Sequence, residues 1–158
     1  RRRKRPHGPF YQRPVSGAFS MSWSNTYVGI PYQDLGRSVT GCDCWGLAKV
    51  VYQAELGLTL PDYRDGYVSA EEQAEVASLI GKETATSIWS LVEEPMAFDL
   101  LLFRHGRLES HVGIYVRPGV MLHMATEDQA KHEDYLSPRW HRRLAGIFRF
   151  TAGLKEAS

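Results

Sequence analysis

The chain has 158 residues, 43% of them apolar, which suits one compact domain with a core of its own. No stretch approaches the roughly 18 consecutive apolar residues of a membrane-spanning helix. The basic N-terminus is not followed by the apolar core of a secretory signal. Net charge is only +1, yet residues 1–20 hold six of the 19 Lys and Arg (Arg1, Arg2, Arg3, Lys4, Arg5, Arg13) and no acid, leaving 13 basic against 18 acidic residues elsewhere. That imbalance argues for an interaction tail over a nucleic-acid-binding domain, with nucleic acid left open for the arm alone.

Residues 1–20 mix Arg, Pro, Gly and Ser without periodicity and hold too little apolar surface to order themselves. The chain therefore divides into an arm, 1–20, and a domain, 21–158. Over residues 22–30, Trp23, Tyr27 and Ile30 recur at helical spacing, and Pro31 ends that element. Residues 32–41 read as a polar loop. A longer helix is predicted over residues 44–56, with Asp43 as N-cap and Leu47, Val50, Val51 and Ala54 as its apolar stripe. Gly57 supplies its stop. Residues 58–66 read as a loop, and Ser69 with Glu72 forms a capping box for a second helix reaching about residue 80.

The second half reads as strands over residues 87–93, 99–104, 109–117, 120–125 and 144–150. Pro118-Gly119 is a tight turn between two of them. Helices first and strands later predict an α+β fold with an antiparallel sheet.

The two cysteines, Cys42 and Cys44, stand one residue apart. A disulfide across so short a loop would be strained and would tie nothing distant. Zinc needs about four ligands, and this chain offers one Cys-x-Cys pair with scattered His, so neither metal nor cofactor is expected. A reactive thiol paired with a distant His fits better. Cys44 falls on the first turn of the 44–56 helix, where backbone amides and the helix dipole favour a thiolate. Asp43 opposes that ionisation unless its carboxylate is turned into the capping amides. Cys42, outside the helix, reads as a packing residue.

His111 opens the strand His111-Val112-Gly113-Ile114-Tyr115-Val116 and can act as general base. Such a base needs a third group to fix its tautomer. His123, on the next strand across the turn, is placed for that cross-strand contact. His105, His132 and His141 carry no such signal.

Tyr32, the run Gly41-Cys42-Asp43-Cys44-Trp45-Gly46-Leu47, Phe98-Asp99-Leu100, the His111 strand and Leu122-His123 together resemble the NlpC-type peptidases. This is a papain-like family that cleaves peptidoglycan stem peptides, and the likeness spans about residues 25–150. Within it, Asp43 to Leu47 and Glu55 to Tyr63 are most similar to the tail-associated cell-wall peptidases of phages and gene transfer agents. The resemblance implies a papain-like fold in which N-terminal helices pack on a C-terminal antiparallel sheet. It implies Cys44 as nucleophile, His111 as base and His123 as the orienting polar residue. Tyr32, Asp43 and Trp45 are the expected substrate-contacting residues, and Cys44's own amide would help hold an oxyanion.

A stem-peptide substrate, cut between D-glutamate and diaminopimelate, is implied as well. So is a place at the tail tip of a phage-like particle, acting on the bacterial wall, with residues 1–20 docking on hub or baseplate proteins. A non-catalytic tail subunit of the same fold, and an amidase or acyltransferase on another substrate, are the alternatives. The chain departs from the family pattern at Trp45, where Ser is usual. It also departs at Phe98, where Gly precedes the Asp, and in Gln33-Asp34-Leu35-Gly36, where paired glycines follow the Tyr.

Overall fold

The structure, a computed structural model, describes residues 23–61, 89–105, 108–125 and 128–151. The basic arm and the helix expected up to residue 80 lie outside these. After a 3-10 turn at Ser24–Tyr27 come β1 (Arg37–Ser38), β2 (Gly41–Cys42) and α1 (Cys44–Val51). Among the described residues there follow β3 (Trp89–Leu91), β4 (Leu100–His105), β5 (Leu108–Arg117), β6 (Val120–Met124), β7 (Ala130–Asp134), a one-turn helix α2 (Pro138–His141) and β8 (Leu144–Phe150). Strands β3 to β8 form one six-stranded antiparallel sheet in the order β3-β8-β4-β5-β6-β7. The α+β architecture read from the sequence is the one observed.

The alternation of strand side chains splits the core in two. Leu100, Leu102, Val112, Ile114 and Leu122 face α1 and join Leu47, Ala48 and Val51 in the main core. Leu101, Phe103, Tyr115 and Met121 face the other way and are covered by Tyr135 and Trp140. At the mouth of β4, Arg149 grips the buried Asp99 through both oxygens, at 3.0 and 2.8 Å, while Met96 N–H donates to Oδ2 at 2.8 Å.

Several predicted elements differ in detail. The 22–30 helix is reduced to the single 3-10 turn. Helix α1 stops at Val51 and continues as a π-helical turn, Tyr52–Leu56, closed by Gly57 at φ 65°. Tyr52, four residues after the buried Ala48, is fully buried and its hydroxyl donates to the Phe98 carbonyl. Ala54, expected in the apolar stripe, is exposed. The 32–41 loop contains the β1–β2 hairpin. Strand β7 and α2 were not foreseen, because Ala-Lys-His-Glu-Asp lacks alternation and four residues show no period.

Two of the family departures coincide with unusual backbone. Leu35 and Phe98 are the non-glycine residues with positive φ among the described residues, at 59° and 77°. A left-handed conformation costs an L-residue roughly 1–2 kcal/mol. At Phe98 the side chain offsets it: the ring is 3% exposed and lies 4.3 Å from the Trp23 ring.

Candidate active site

The site begins at the turn into α1. Asp43, wholly buried, is the N-cap, and its Oδ1 accepts from Gly46 N–H at 2.7 Å. The same oxygen meets Arg37 at 2.8 Å, and Oδ2 accepts from Leu35 N–H at 3.2 Å. One carboxylate thus ties the β1 strand, the preceding loop and the helix start together. Gly46 permits the close approach, since a Cβ there would overlap the Gly36 carbonyl and lie 3.0 Å from Cys42 Cβ.

Cys44 follows on the first helical position and is 5% exposed. Backbone N–H groups of Val112 and Trp45 reach its sulfur. The helix start therefore abuts β5 at the residue after His111. Burial, and then the Asp43 charge, push the Cys44 thiol up to about 12, against the opposing pull of those amides and Arg37. This corrects the expectation of a preformed thiolate: desolvation outweighs the helix end, and the resting sulfur is a neutral thiol. Cys42 is wholly buried and likewise pushed up to about 12, chiefly by burial.

His111 and His123 come together as their strands predict. The register sets Gly113 opposite His123, so the two His lie on a diagonal. His111 Nε2 and His123 Nδ1 are 2.9 Å apart, with rings at 88°. His111 is 8% exposed and His123 1%. Burial, followed by the neighbouring charges of His123, Arg143 and Arg139, holds His111 well below the ordinary imidazole value. Burial also lowers His123, opposed by Glu133. Both rings are therefore neutral at rest.

Two residues beside the pair were missed. Glu133 on β7 meets His123 Nε2 through Oε2. Trp140 on α2 stacks on His111 with centroids 5.2 Å apart at 28°, and meets His123 edge-on at 5.0 Å. The guanidinium carbons of Arg143 and Arg139 lie 4.7 and 5.2 Å from the centroid of that indole. Both missed residues belong to the two unforeseen elements.

The remaining candidates sort by exposure. Tyr32 is half-buried and bridges to Cys42, its N–H donating to Asp128 O at 2.9 Å, so its backbone is held beside the helix start. Trp45 is a correction: it is wholly buried, edge-on to Trp89, and its indole donates to Pro61 O at 2.9 Å. It is a core residue with no face for substrate. Asp43, equally buried, shapes the helix start without offering substrate an oxygen. His132 bonds the buried Ser24 Oγ at 2.9 Å and pins β7 to the 3-10 turn.

A helix-borne cysteine set against an antiparallel sheet that carries paired imidazoles defines the papain-like α+β class. Comparison with known proteins narrows it: residues 29–149 match the NlpC/P60 family, and the chain belongs to that family. It is 27% identical over 117 residues to the murein DD-endopeptidase MepS/murein LD-carboxypeptidase of Escherichia coli K12, covering 74% of this chain and 54% of that protein. It is 29% identical over 118 residues to a probable endopeptidase of Haemophilus influenzae, covering 73% and 63%. The chain thus spans a little over half the length of these relatives. Among solved structures, the NlpC/P60 domain of the peptidoglycan hydrolase SagA superposes with a TM-score of 0.55 at 23% identity, covering 86% of this chain and 98% of that one.

Proposed function

We propose that the protein is a cysteine peptidase that hydrolyses peptidoglycan stem peptides. The observation that carries the proposal is the buried contact between His111 and His123, with His111 on the strand whose next amide, Val112 N–H, reaches the Cys44 sulfur. Family membership and the murein endopeptidase relative support the substrate class.

The chemistry starts from a neutral pair. His111 takes the thiol proton as Cys44 attacks an amide carbonyl, so charge develops only in the transition state. The amides at the helix start stabilise the sulfur and contribute to holding the oxyanion. The imidazolium then protonates the leaving amine, and the neutral ring activates water to release the acyl group. Tyr32, half-buried at the edge of the helix start, lines the acceptor side in this reading.

The bond proposed is D-glutamyl-diaminopimelate. The proposed setting is the tail tip of a phage-like particle, with residues 1–20 as the docking arm. That setting is supported by the similarity of Asp43 to Leu47 and Glu55 to Tyr63 to tail-associated members. The low exposure of Cys44, 5%, favours one rival, a structural tail subunit of the same fold. Mass spectrometry of muropeptides after incubation with purified peptidoglycan separates them. A new amino terminus on diaminopimelate is expected from the wild-type chain. Unaltered muropeptides at high enzyme concentration would support the structural subunit.

A further inference from the structure

We propose that Glu133 is a positioning residue: by accepting from His123 it sets the tautomer of His123 and, through it, the nitrogen on which His111 acts as base. The inference deepens the peptidase reading and rests on it for its kinetic consequences, but not for its structural ones.

Protons can be counted along three groups in contact. Glu133 Oε2 contacts His123 Nε2, and His123 Nδ1 lies 2.9 Å from His111 Nε2. A carboxylate only accepts, so His123 Nε2 carries its hydrogen. A neutral imidazole has one N–H, which leaves His123 Nδ1 as an acceptor. His111 Nε2 must then donate to it, and His111 Nδ1 is left bare, able to take a proton. When the Cys44 proton arrives at Nδ1, His111 becomes an imidazolium whose Nε2–H still points at a lone pair. His123 stays neutral with its own N–H on Glu133, and no further proton moves. The proton on Nδ1 leaves with the amine.

Histidine as orienting residue makes this necessary. It can donate or accept toward His111 according to tautomer. Without a partner at Nε2, His123 can hold its hydrogen on Nδ1 and donate to His111 Nε2. His111 would then carry its own hydrogen on Nδ1, where the base must be bare. Glu133 removes that ambiguity. His123 is 1% exposed, so solvent does not do the same work, whereas the Glu133 side chain is 27% exposed and reaches in from the edge strand. The other charged groups facing the pair are cations, Lys131 and Arg139 at His123 and Arg143 and Arg139 at His111. None can accept a hydrogen bond. Trp140 clamps both rings and fixes their planes but donates only.

The test compares the wild-type chain with Glu133→Gln and Glu133→Leu. Gln keeps an accepting oxygen and Leu does not, and a partly exposed edge position tolerates both. Nitrogen-15 shifts of the labelled rings report the tautomers directly, without substrate. Wild type and Glu133→Gln are expected to show His123 with hydrogen on Nε2 and His111 with Nδ1 bare, and Glu133→Leu a mixture at both rings. On stem peptide, kcat of Glu133→Leu should fall by about tenfold or more with KM unchanged, a smaller loss than removal of a residue that orients the base directly. Glu133→Gln should recover most of it. Identical tautomers in wild type and Glu133→Leu, or wild-type His123 with its hydrogen on Nδ1, would overturn the assignment. Because the spectra need no turnover, the tautomers decide the role of Glu133 even if stem peptide proves not to be the substrate.

Discussion

Replacing Asp43 by Asn separates two roles that one buried carboxylate plays. The side chain is wholly buried, its partner Arg37 is 9% exposed, and the pair stands at 2.8 Å. Asn keeps an oxygen for the Gly46 cap, and loss of a cap alone is worth about 1 kcal/mol. It cannot offer a second oxygen: with Oδ1 kept for Gly46 and Arg37, the amide nitrogen takes the place of Oδ2 and faces Leu35 N–H, and the charge opposite Arg37 is lost. Removing one partner of a buried ion pair costs about 3–5 kcal/mol, and with the cap kept we expect a loss near the lower end, about 3 kcal/mol.

The second effect has the opposite sense. Asp43 raises the Cys44 thiol, so Asp43→Asn should bring it down from about 12 and speed alkylation at fixed pH. Urea unfolding followed by Trp fluorescence reads the first effect. Iodoacetamide labelling of Cys44, followed by mass spectrometry between pH 8 and 10, reads the second. A core variant of equal instability, such as Leu122→Ala, corrects for labelling through unfolding. Unchanged stability, or labelling no faster than that control, would refute the reasoning.

Other expectations follow from the same geometry. Trp140→Ala removes a ring that is 5% exposed and stacked on His111, and should lower stability by about 3–5 kcal/mol, read by urea midpoint. Leu35→Gly relieves a residue at φ 59° and should change stability by less than about 1 kcal/mol in the same assay, since the half-buried side chain is lost as strain is removed. Stability should also turn down at both ends of the pH range. His111 and His123 lie below 6.5 in the folded chain, so the unfolded chain binds more protons and stability falls as pH drops below about 6.5. Cys42 and Cys44 are raised from 9.0 to about 12, so the stabilisation present below 9.0 is lost as pH rises from there toward 12. Thermal melts from pH 4 to 11 check both limbs.

What the sequence revealed follows from which signals are local. The Asp43 cap is a contact over three residues, and β8 coincides with its predicted span because its apolar residues are bounded by turns. The diagonal of His111 and His123 follows from the Pro118-Gly119 turn, which sets the register of β5 and β6. The π-helical turn after Val51 was hidden because periodicity assumes a constant pitch. Trp45 was misread because exposure of a helix face depends on what packs there, here Trp89 from a distant strand. Glu133 and Trp140 sit on an edge strand and a one-turn helix, elements too polar or too short to show a period. The neutral state of Cys44 was out of reach for a related reason: helix position is local, whereas desolvation is a property of the whole fold.

Cleavage of a defined stem peptide by Cys42→Ala and Cys44→Ala, compared with the wild-type chain, tests most directly which sulfur attacks. Both thiols are buried and neutral at rest, so the difference between them is position. Cleavage by wild type and Cys42→Ala, with none by a folded Cys44→Ala, is the predicted result. Product release by Cys44→Ala at the wild-type rate would contradict the assignment of Cys44 as nucleophile.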